Sequence, residues 1–243
     1  MIAVGVVVLA ALLLLALTLW RQRSPAVLRP IDAYQRLNHA VGLAVEQGTR
    51  LHISLGHGNL ATTRGASALA GLAMVRRLIE RTSASDRPAV VTSGDASLAI
   101  LSQDTLHSGY RAAGAEEQYR FSTGRLTGLT SFSYAAGTMP IIHDDDVSAN
   151  VVLGNLGIES GLMAEASSRE NSSLIAASDD LSAQTIFYLS AQEPLIAEEL
   201  FAAGAYVGAG ASHEASLQVQ DVLRWLIILA ILAGSFLKFL GMI

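Results

Sequence analysis

The 243-residue chain contains no cysteine, so it can form neither disulfides nor the cysteine-based zinc sites of small domains. Its six histidines are scattered, and none forms an H-x-x-x-H pair. We therefore predict no metal site. The absence of cysteine leaves the compartment open, because a domain without disulfides can fold in an oxidising or a reducing environment.

Clustered positive charge is also missing. The chain has 16 basic and 21 acidic residues and a formal net charge of −5. Nucleic-acid binding needs clustered positive charge, so we expect no nucleic-acid partner. The sequence has no G-x-S-x-G elbow and no Gly-Lys-Ser/Thr phosphate loop. The sequence therefore identifies no catalytic residue, and this absence leads us to favour a function other than catalysis.

The first of two long apolar segments covers residues 2–20, IAVGVVVLAALLLLALTLW. At ~1.5 Å per residue, such a helix nearly spans the ~30 Å hydrocarbon core of a bilayer. A secretory signal peptide is the alternative, but it would need a basic start and a small-x-small cleavage site. This segment ends in Leu-Trp-Arg-Gln-Arg, which predicts a retained anchor.

The second apolar segment covers residues 222–243, with Arg224 and Lys238 near its ends. Long basic side chains at such positions can extend to the membrane interface. A buried core helix is the alternative, since the uninterrupted apolar stretch 225–237 is short for a span. The segment is apolar all round, and this favours insertion into the membrane.

The distribution of charge predicts the orientation. Basic residues flank the apolar segments mainly on the side of the central domain, at Arg21, Arg23, Arg29, Arg36 and Arg224. Lys238 lies at the far end and is a weak counter-indication. By the positive-inside rule, we expect a protein of the cell inner (plasma) membrane with a cytoplasmic central domain and both termini outside.

The chain is accordingly divided into four parts. Residues 1–21 are predicted to form a transmembrane helix, and residues 22–48 a linker with an amphipathic helix. Residues 49–220 are predicted to form a cytosolic α/β domain, and residues 221–243 a second transmembrane helix.

Within the central domain, short apolar runs alternate with segments of helical periodicity. The candidate strands are residues 51–55, 89–92, 147–153 and 174–177, with a weaker one at 119–121. Their alternation with helices predicts an α/β fold with a Rossmann-like, doubly wound, mainly parallel sheet. The strand order cannot be deduced from this pattern.

Ligands of open α/β sheets bind beyond the carboxyl ends of the strands. The residues predicted there are Gly56, His57, Gly58, Asp95, Gly154, Gly157 and Asp179. One interpretation is a nucleotide-like crevice, in which glycines admit a phosphate and a carboxylate accepts a ribose hydroxyl. The other is structural, since such turns need glycine and aspartate caps helices without any ligand. We favour the second interpretation and assign no cofactor.

Two other groups of polar residues receive structural interpretations. Residues 143–146, His-Asp-Asp-Asp, could offer ligands to a cation, but consecutive side chains diverge, and we expect a solvated acidic turn. His52 lies within the first strand and is expected to be a paired histidine of the sheet.

The small residues at 202–210 could serve subunit contacts.

The run PLIAEELFAAGAYVGAG, followed by HEASLQVQDVLRW, resembles an uncharacterised bacterial membrane-protein family. VEQGTRLHISLGHGN and SGDASLAILSQDTL carry the same resemblance. It implies an anchor, an α/β domain of unknown function and a second anchor, but no activity. His57 stands where that family commonly has a small residue.

Two functions are compatible with these features. The first is a membrane-anchored structural subunit of a large homo-oligomeric ring, barrel or cage, with the lipid bilayer and copies of itself as partners. The alternative is a membrane-tethered ligand-binding or enzymatic domain that uses the crevice at the strand ends. We favour the first, because no catalytic set is present.

Overall fold

The computed structural model describes residues 2–24, 26–62 and 65–241. The chain divides into two compact units. One is formed by the two ends of the chain, Met1–Leu28 and Gly210–Ile243, and the other by Arg29–Ala209. A central α/β domain between two terminal apolar helices, as predicted, is therefore confirmed.

The terminal unit contains helices α1 (Ile2–Arg21) and α9 (Ala211–Phe239). Both are long and apolar enough to cross a membrane. Arg21 Nε donates a hydrogen bond to Gln218 Oε1 at 3.0 Å, so the end of α1 lies beside the first part of α9. Helix α9 includes residues 211–220, which were assigned to the α/β domain, together with residues 221–239 of the second predicted span. The apolar stretches of both helices are not buried within the protein, as expected of helices that insert into lipid.

The central unit is built on a six-stranded parallel sheet in the order β3-β2-β1-β4-β5-β6. The strands are β1 (Arg50–Gly56), β2 (Val90–Ser93), β3 (Gly124–Leu126), β4 (Val147–Asn155), β5 (Ser173–Ser178) and β6 (Glu193–Leu195). This is the strand order of a doubly wound Rossmann-like sheet. The predicted fold class is confirmed.

Helices cover both faces of the sheet. They are α2 (Asp32–Gln47), α3 (Gly65–Thr82), α4 (Ala96–Ala112), α5 (Ser131–Asp144), α6 (Ser160–Arg169), α7 (Leu181–Ser190) and α8 (Ala203–Tyr206). Helices α2, α3, α4 and α8 share one hydrophobic core with the first face, and α5, α6 and α7 share a second core with the other. Each strand-to-strand connection thus supplies one covering helix.

The two faces of the sheet differ in chemistry because side chains alternate along each strand. In β1, Leu51, Ile53 and Leu55 belong to the larger hydrophobic core. Ser54, between them, contacts Tyr134 of α5 instead. The face beneath α5 and α6 is therefore partly polar, whereas the opposite face is apolar.

The weaker strand predicted at residues 119–121 was wrong. Tyr119 lies outside any strand, and a 3-10 helix covers Phe121–Thr123. The Tyr119 ring packs 5.0 Å from that of His107 and 6.0 Å from that of Tyr110, so its apolar surface serves the packing of α4. The edge strand beside β2 is instead the following segment, Gly124–Leu126.

Candidate functional site

The topological switch point of the sheet lies between β1 and β4. These strands are neighbours, yet the helices that follow them, α3 and α6, cover opposite faces. Open α/β sheets bind ligands in the crevice at such a point. Because the sheet is parallel, all the predicted site residues lie at its carboxyl edge, in or just after β1, β2, β4 and β5.

His57, Ser131 and Glu159 meet at this switch point. His57 follows β1, Ser131 is the first residue of α5, and Glu159 precedes α6. His57 Nε2 lies 2.9 Å from Glu159 Oε1 and 3.1 Å from Ser131 Oγ. The Gly157 N–H donates to the same Glu159 oxygen at 2.7 Å. Glu159 is only 2% exposed, so these donors replace the water that its carboxylate would otherwise bind.

A serine, a histidine and a glutamate in contact suggest a hydrolytic triad, but their geometry does not form one. In a triad, the serine and the carboxylate bind different nitrogens of the imidazole. Here both lie against Nε2 of His57. A proton on Nε2 that is donated to Glu159 prevents that nitrogen from accepting the proton of Ser131. The arrangement binds three loops together and does not activate the serine.

The glycines at the ends of β1 and β4 are needed for the close approach of the two strands. Gly56 has φ +67°, and a Cβ there would lie 2.3 Å from the carbonyl oxygen of Asn155. Gly154 has φ +137°, and its Cβ would lie 2.2 Å from the carbonyl oxygen of Leu55. No other residue fits either position without displacing backbone. Packing alone therefore accounts for these two predicted site residues.

Other predicted glycines lie in the turns around His57. Gly58 is buried and follows His57 directly. A Cβ on Gly157 would lie 2.9 Å from Glu159 Oε2, so this turn allows the carboxylate to fold back onto the backbone. Helix α3 begins only at Gly65, and the segment Gly56–Ala61 is therefore not a phosphate-binding turn that leads directly into a helix.

Asp95 serves as the N-cap of α4. Its Oδ1 accepts from the N–H groups of Ser97 and Leu98 at 2.9 and 3.2 Å, and it also accepts from the Ser97 hydroxyl. The hydrogen bond from the Ser97 hydroxyl is the main cause that lowers the pKa of Asp95. Asn59 reaches the other carboxylate oxygen at 3.4 Å and thereby connects the turns after β1 and β2.

The acidic pair after β5 has two separate roles. Asp179 accepts a hydrogen bond from Asn155 Nδ2 at 2.8 Å, which connects the ends of β4 and β5. Asp180 caps α7 through the N–H groups of Ser182 and Ala183. The structural interpretation of these carboxylates thus has direct geometric support.

A buried polar network lies directly beneath the site. His52 Nδ1 is 2.6 Å from Asn150 Oδ1, and His52 Nε2 is 2.9 Å from Thr92 Oγ1. Burial lowers the pKa of His52 to about 4, so the ring is neutral at pH 7. Tyr134 OH lies 2.5 Å from Ser54 Oγ and 3.1 Å from Thr92 Oγ1. The network ties α5 to β1, β2 and β4.

Tyr134 also connects this network to His57, since their rings meet edge to face with centroids 6.3 Å apart. Burial raises the pKa of Tyr134. Ser131, Tyr134 and Glu159 were not among the site residues predicted from the sequence. Glu159 could have been found as the acidic residue two positions after Gly157, whereas Ser131 and Tyr134 approach only through the packing of α5.

Exposed apolar side chains surround the carboxyl edge of the sheet. Leu129, Phe132, Ile158 and Leu181 are each more than half exposed. They lie at the starts of α5, α6 and α7 or in the turns just before them, and we call them the apolar rim. Isolated exposed leucines are ordinary, but several on one edge mark an interaction surface.

The side chains of the acidic turn at residues 143–146 do not converge on one point. His143 pairs with Glu170, Asp145 with Arg50 and Arg125, and Asp146 with Arg87. Within residues 2–24, 26–62 and 65–241, no group of three or more histidine, aspartate or glutamate side chains is arranged to hold a metal ion.

Comparison with known proteins places the chain in a family without assigning it a function. No curated protein and no solved structure matches it. One family model, described as Domain of unknown function (DUF6754), matches residues 1–243. Because the match covers the whole sequence, the two terminal apolar helices and the α/β sheet between them all fall within it. The chain therefore belongs to the DUF6754 family, whose members share a domain of unknown function.

Proposed function

We propose that this protein is a membrane-anchored structural subunit of a homo-oligomeric assembly, such as a ring, barrel or cage, built by its α/β domain. One observation carries the proposal. Helix α7, LSAQTIFYLS, contains no charged residue, and it buries Ala183 and Phe187 while leucine and tyrosine side chains stay exposed on its outer face. A surface helix normally carries charged residues on its outer face.

The outer face of α7 combines exposed leucine and tyrosine with hydroxyl-bearing residues and carries no charge. Leu181, Tyr188 and Leu189 are 76, 67 and 81% exposed. Thr185 is also exposed and lies one helical turn from Leu181 and Tyr188. We call these residues the α7 ridge: Leu181, Thr185, Tyr188 and Leu189. Depletion of charge and enrichment in tyrosine characterise the buried centres of protein interfaces.

Membrane anchoring would make modest contacts sufficient for assembly. The proposal places α1 and α9 across the inner (plasma) membrane, with the central domain cytoplasmic and both termini outside. Arg21, Arg23, Arg29 and Arg36 support this orientation by the positive-inside rule. Two anchors per copy would fix the orientation of every domain and raise its local concentration.

The geometry of the strand-end site supports a structural role more than a catalytic one. His57 Nε2 holds a buried carboxylate, Asp95 and Asp180 cap helices, and the glycines at the ends of β1 and β4 serve close packing. Each of these polar groups has a partner within the chain. None of the contacts requires a ligand.

The mass of the particle extracted in mild detergent tests this proposal. Mass photometry and electron microscopy of the native protein should show a discrete assembly that contains many copies of the 25.5 kDa chain. A charged residue in the ridge, as in Leu189→Glu, should reduce this mass, whereas the exposed change Asp104→Asn on α4 should leave it unchanged. A monodisperse monomer of the unaltered chain would contradict the proposal.

A second candidate function is a membrane-tethered ligand-binding or enzymatic domain that uses a nucleotide-like crevice at the carboxyl ends of the strands. The strand order favours it, because the crevice of such sheets lies where His57 and Glu159 meet. Nucleotides and dinucleotides should then raise the melting temperature by linkage. Asp95→Ala should abolish the rise, while Asp180→Ala, which removes a similar helix cap, should retain it.

A further inference from the structure

Helices α1 and α9 lie side by side and run antiparallel. Arg21, the last residue of α1, donates to Gln218 near the start of α9, and the two helices pack against each other. Leu13 of α1 is half-buried, and so are Leu223 and Leu237 of α9. Because these positions lie along most of the apolar stretch, one register holds for the whole pair.

This register places an ion pair of α9 level with an apolar part of α1. Arg224 Nη1 lies 3.4 Å from Asp221 Oδ1, and both side chains are about half exposed or more. Arg224 follows Gln218 by as many residues as Leu15 precedes Arg21. At ~1.5 Å per residue, Arg224 therefore lies about 9 Å deeper than the Arg21 contact.

The Asp221–Arg224 pair marks one boundary of the apolar layer that α9 can enter. Charged side chains are costly in hydrocarbon and extend to the interface where they can. The Cα–Cβ bonds of a helix tilt towards its N-terminus, so the Arg224 side chain extends back towards Asp221, as its ion pair shows. The hydrocarbon layer around α9 therefore begins between these two residues.

Lys238 marks the other boundary. It lies near the C-terminal end of α9, where the same tilt directs its side chain back towards the apolar stretch. The ammonium group therefore cannot extend far beyond the level of its own backbone. Helix α9 ends at Phe239, and hydrocarbon cannot satisfy the backbone carbonyls of a helix end.

The distance between these boundaries is short for an ordinary bilayer. It is about 21 Å from Arg224 to Lys238, or about 26 Å from Asp221, against a typical hydrocarbon thickness of ~30 Å. Tilting of the helices can only shorten the distance along the membrane normal. The apolar stretch of α1 is longer, but Leu15, Leu19 and Trp20, each more than half exposed, lie level with the charged part of α9.

We propose that the α1–α9 pair fits a hydrocarbon layer of about 21–26 Å and gathers short-chain lipids around itself. This inference rests on the membrane anchoring in the proposed function and specifies the lipid partner. Long-chain lipids around the pair would have to compress or to surround the Asp221–Arg224 charges with hydrocarbon. Both responses cost more with every ångström of mismatch.

Quenching of tryptophan fluorescence by brominated lipid tests the inference. The full chain would carry Trp20→Phe, so that Trp225 is its single tryptophan. It would be reconstituted in mixtures of dimyristoleoyl and dierucoyl phosphatidylcholine, with bromine first on the short and then on the long chains. The short-chain lipid should be enriched around Trp225 by about two-fold or more. Equal access of both lipids, or enrichment of the long one, would overturn the inference.

Two double variants test whether the boundary lies at the ion pair. Asp221→Leu with Arg224→Leu extends the apolar stretch of α9 and should abolish the enrichment of short-chain lipid. Glu165→Gln with Arg169→Gln removes a comparable helical ion pair from α6, outside both apolar helices, and should retain it. Enrichment that persists without Asp221 and Arg224 would overturn the inference.

Extraction of the vesicles with alkaline carbonate separates this inference from the proposed function. Protein released by carbonate would contradict membrane anchoring and, with it, the fit to a thin bilayer. Protein that stays in the vesicles but shows no preference for short-chain lipid would overturn the inference alone. The mass of the detergent-extracted particle enters neither result, so the homo-oligomeric assembly is tested separately.

Discussion

His57 and Glu159 are 102 residues apart in sequence, yet Nε2 of the first lies 2.9 Å from Oε1 of the second. The contact spans the switch point between β1 and β4, where sheets of this order commonly open to a ligand. Glu159 is nearly inaccessible to water, and His57 is one of its few donors. The two residues therefore act as a clasp across the carboxyl edge of the sheet.

Replacing His57 by alanine should destabilise the domain. The buried Glu159 carboxylate would lose a hydrogen-bond donor, which costs about 1–3 kcal/mol. Urea unfolding of the detergent-extracted chain, followed by fluorescence, measures the change. His107→Ala is the matched control, because His107 pairs with Glu116 at a similar 3.0 Å but at the surface. This control should cost less than about 1 kcal/mol; equal losses in both variants would contradict a structural role for the clasp.

Replacing Gly154 by alanine should be among the most damaging small substitutions in the sheet. The new Cβ would lie 2.2 Å from the carbonyl oxygen of Leu55, at a φ of +137°. We expect a loss of about 3 kcal/mol or more, from overpacking together with backbone strain. Thermal unfolding measures it.

Gly42 provides the matching control for this substitution. It lies within α2, and a Cβ there would meet nothing within 4 Å. Gly42→Ala should therefore stabilise the helix by about 0.5–1 kcal/mol. If both substitutions had the same effect, the close approach of β1 and β4 would not be the reason for glycine at position 154.

Acid should destabilise the domain through His52. Burial lowers the pKa of His52 to about 4, against 6.5 in the unfolded chain. Between these values the unfolded state binds the proton and the folded state does not, so stability falls as the pH drops from 6.5 towards 4. The full difference corresponds to about 3 kcal/mol.

The pH dependence of urea unfolding measures this contribution. His52→Asn removes the titrating group, so the difference in the free energy of unfolding between pH 7 and pH 4.5 should be smaller in the variant. The comparison of two pH values within each protein cancels any constant loss that the substitution causes. If this difference were the same in the variant and the unaltered chain, groups other than His52 would cause the acid sensitivity.

Protonation of His143 should stabilise the domain, in contrast to protonation of His52. Its hydrogen bond to Glu170 and the negative charges of Glu170 and Asp144 raise its pKa above the ordinary value of 6.5. The contact therefore stabilises the fold while the imidazole is protonated, and its contribution disappears as the pH rises through the raised pKa. Histidine-selective NMR should show Glu170→Gln lowering the pKa of His143, while Glu165→Gln, whose partner is Arg169, leaves it nearly unchanged.

The sequence could predict the elements whose pattern is local. The apolar runs predicted as strands at residues 51–55 and 174–177 can be recognised from neighbouring residues alone, and the structure places these strands at 50–56 and 173–178. The position of Gly56 and Asp95 at one edge followed from the expectation of a parallel sheet. Such features depend on neighbours in sequence or on a general rule of α/β topology.

Features that depend on distant contacts could not be predicted. Strands β3 and β6 have three residues each, too few for a periodic signal, and they form because β2 and β5 offer free edges. Ser131 reaches His57 only because α5 crosses back over β1. Tyr134 likewise could not be selected in advance, since its role depends on contacts with Ser54 and Thr92, which are distant in sequence.

The polar side of the sheet has a consequence for how the family can change by mutation. Side chains on the apolar side, such as Leu51 and Ile53, pack without direction, so other hydrophobic residues of similar volume can replace them. His52, Asn150 and Tyr134 instead have partners at fixed angles, and a change in one leaves another unsatisfied. Tolerance to substitution should thus alternate along β1 with a period of two. Residues on the side of α3 and α4 should vary more among family members than residues beneath α5.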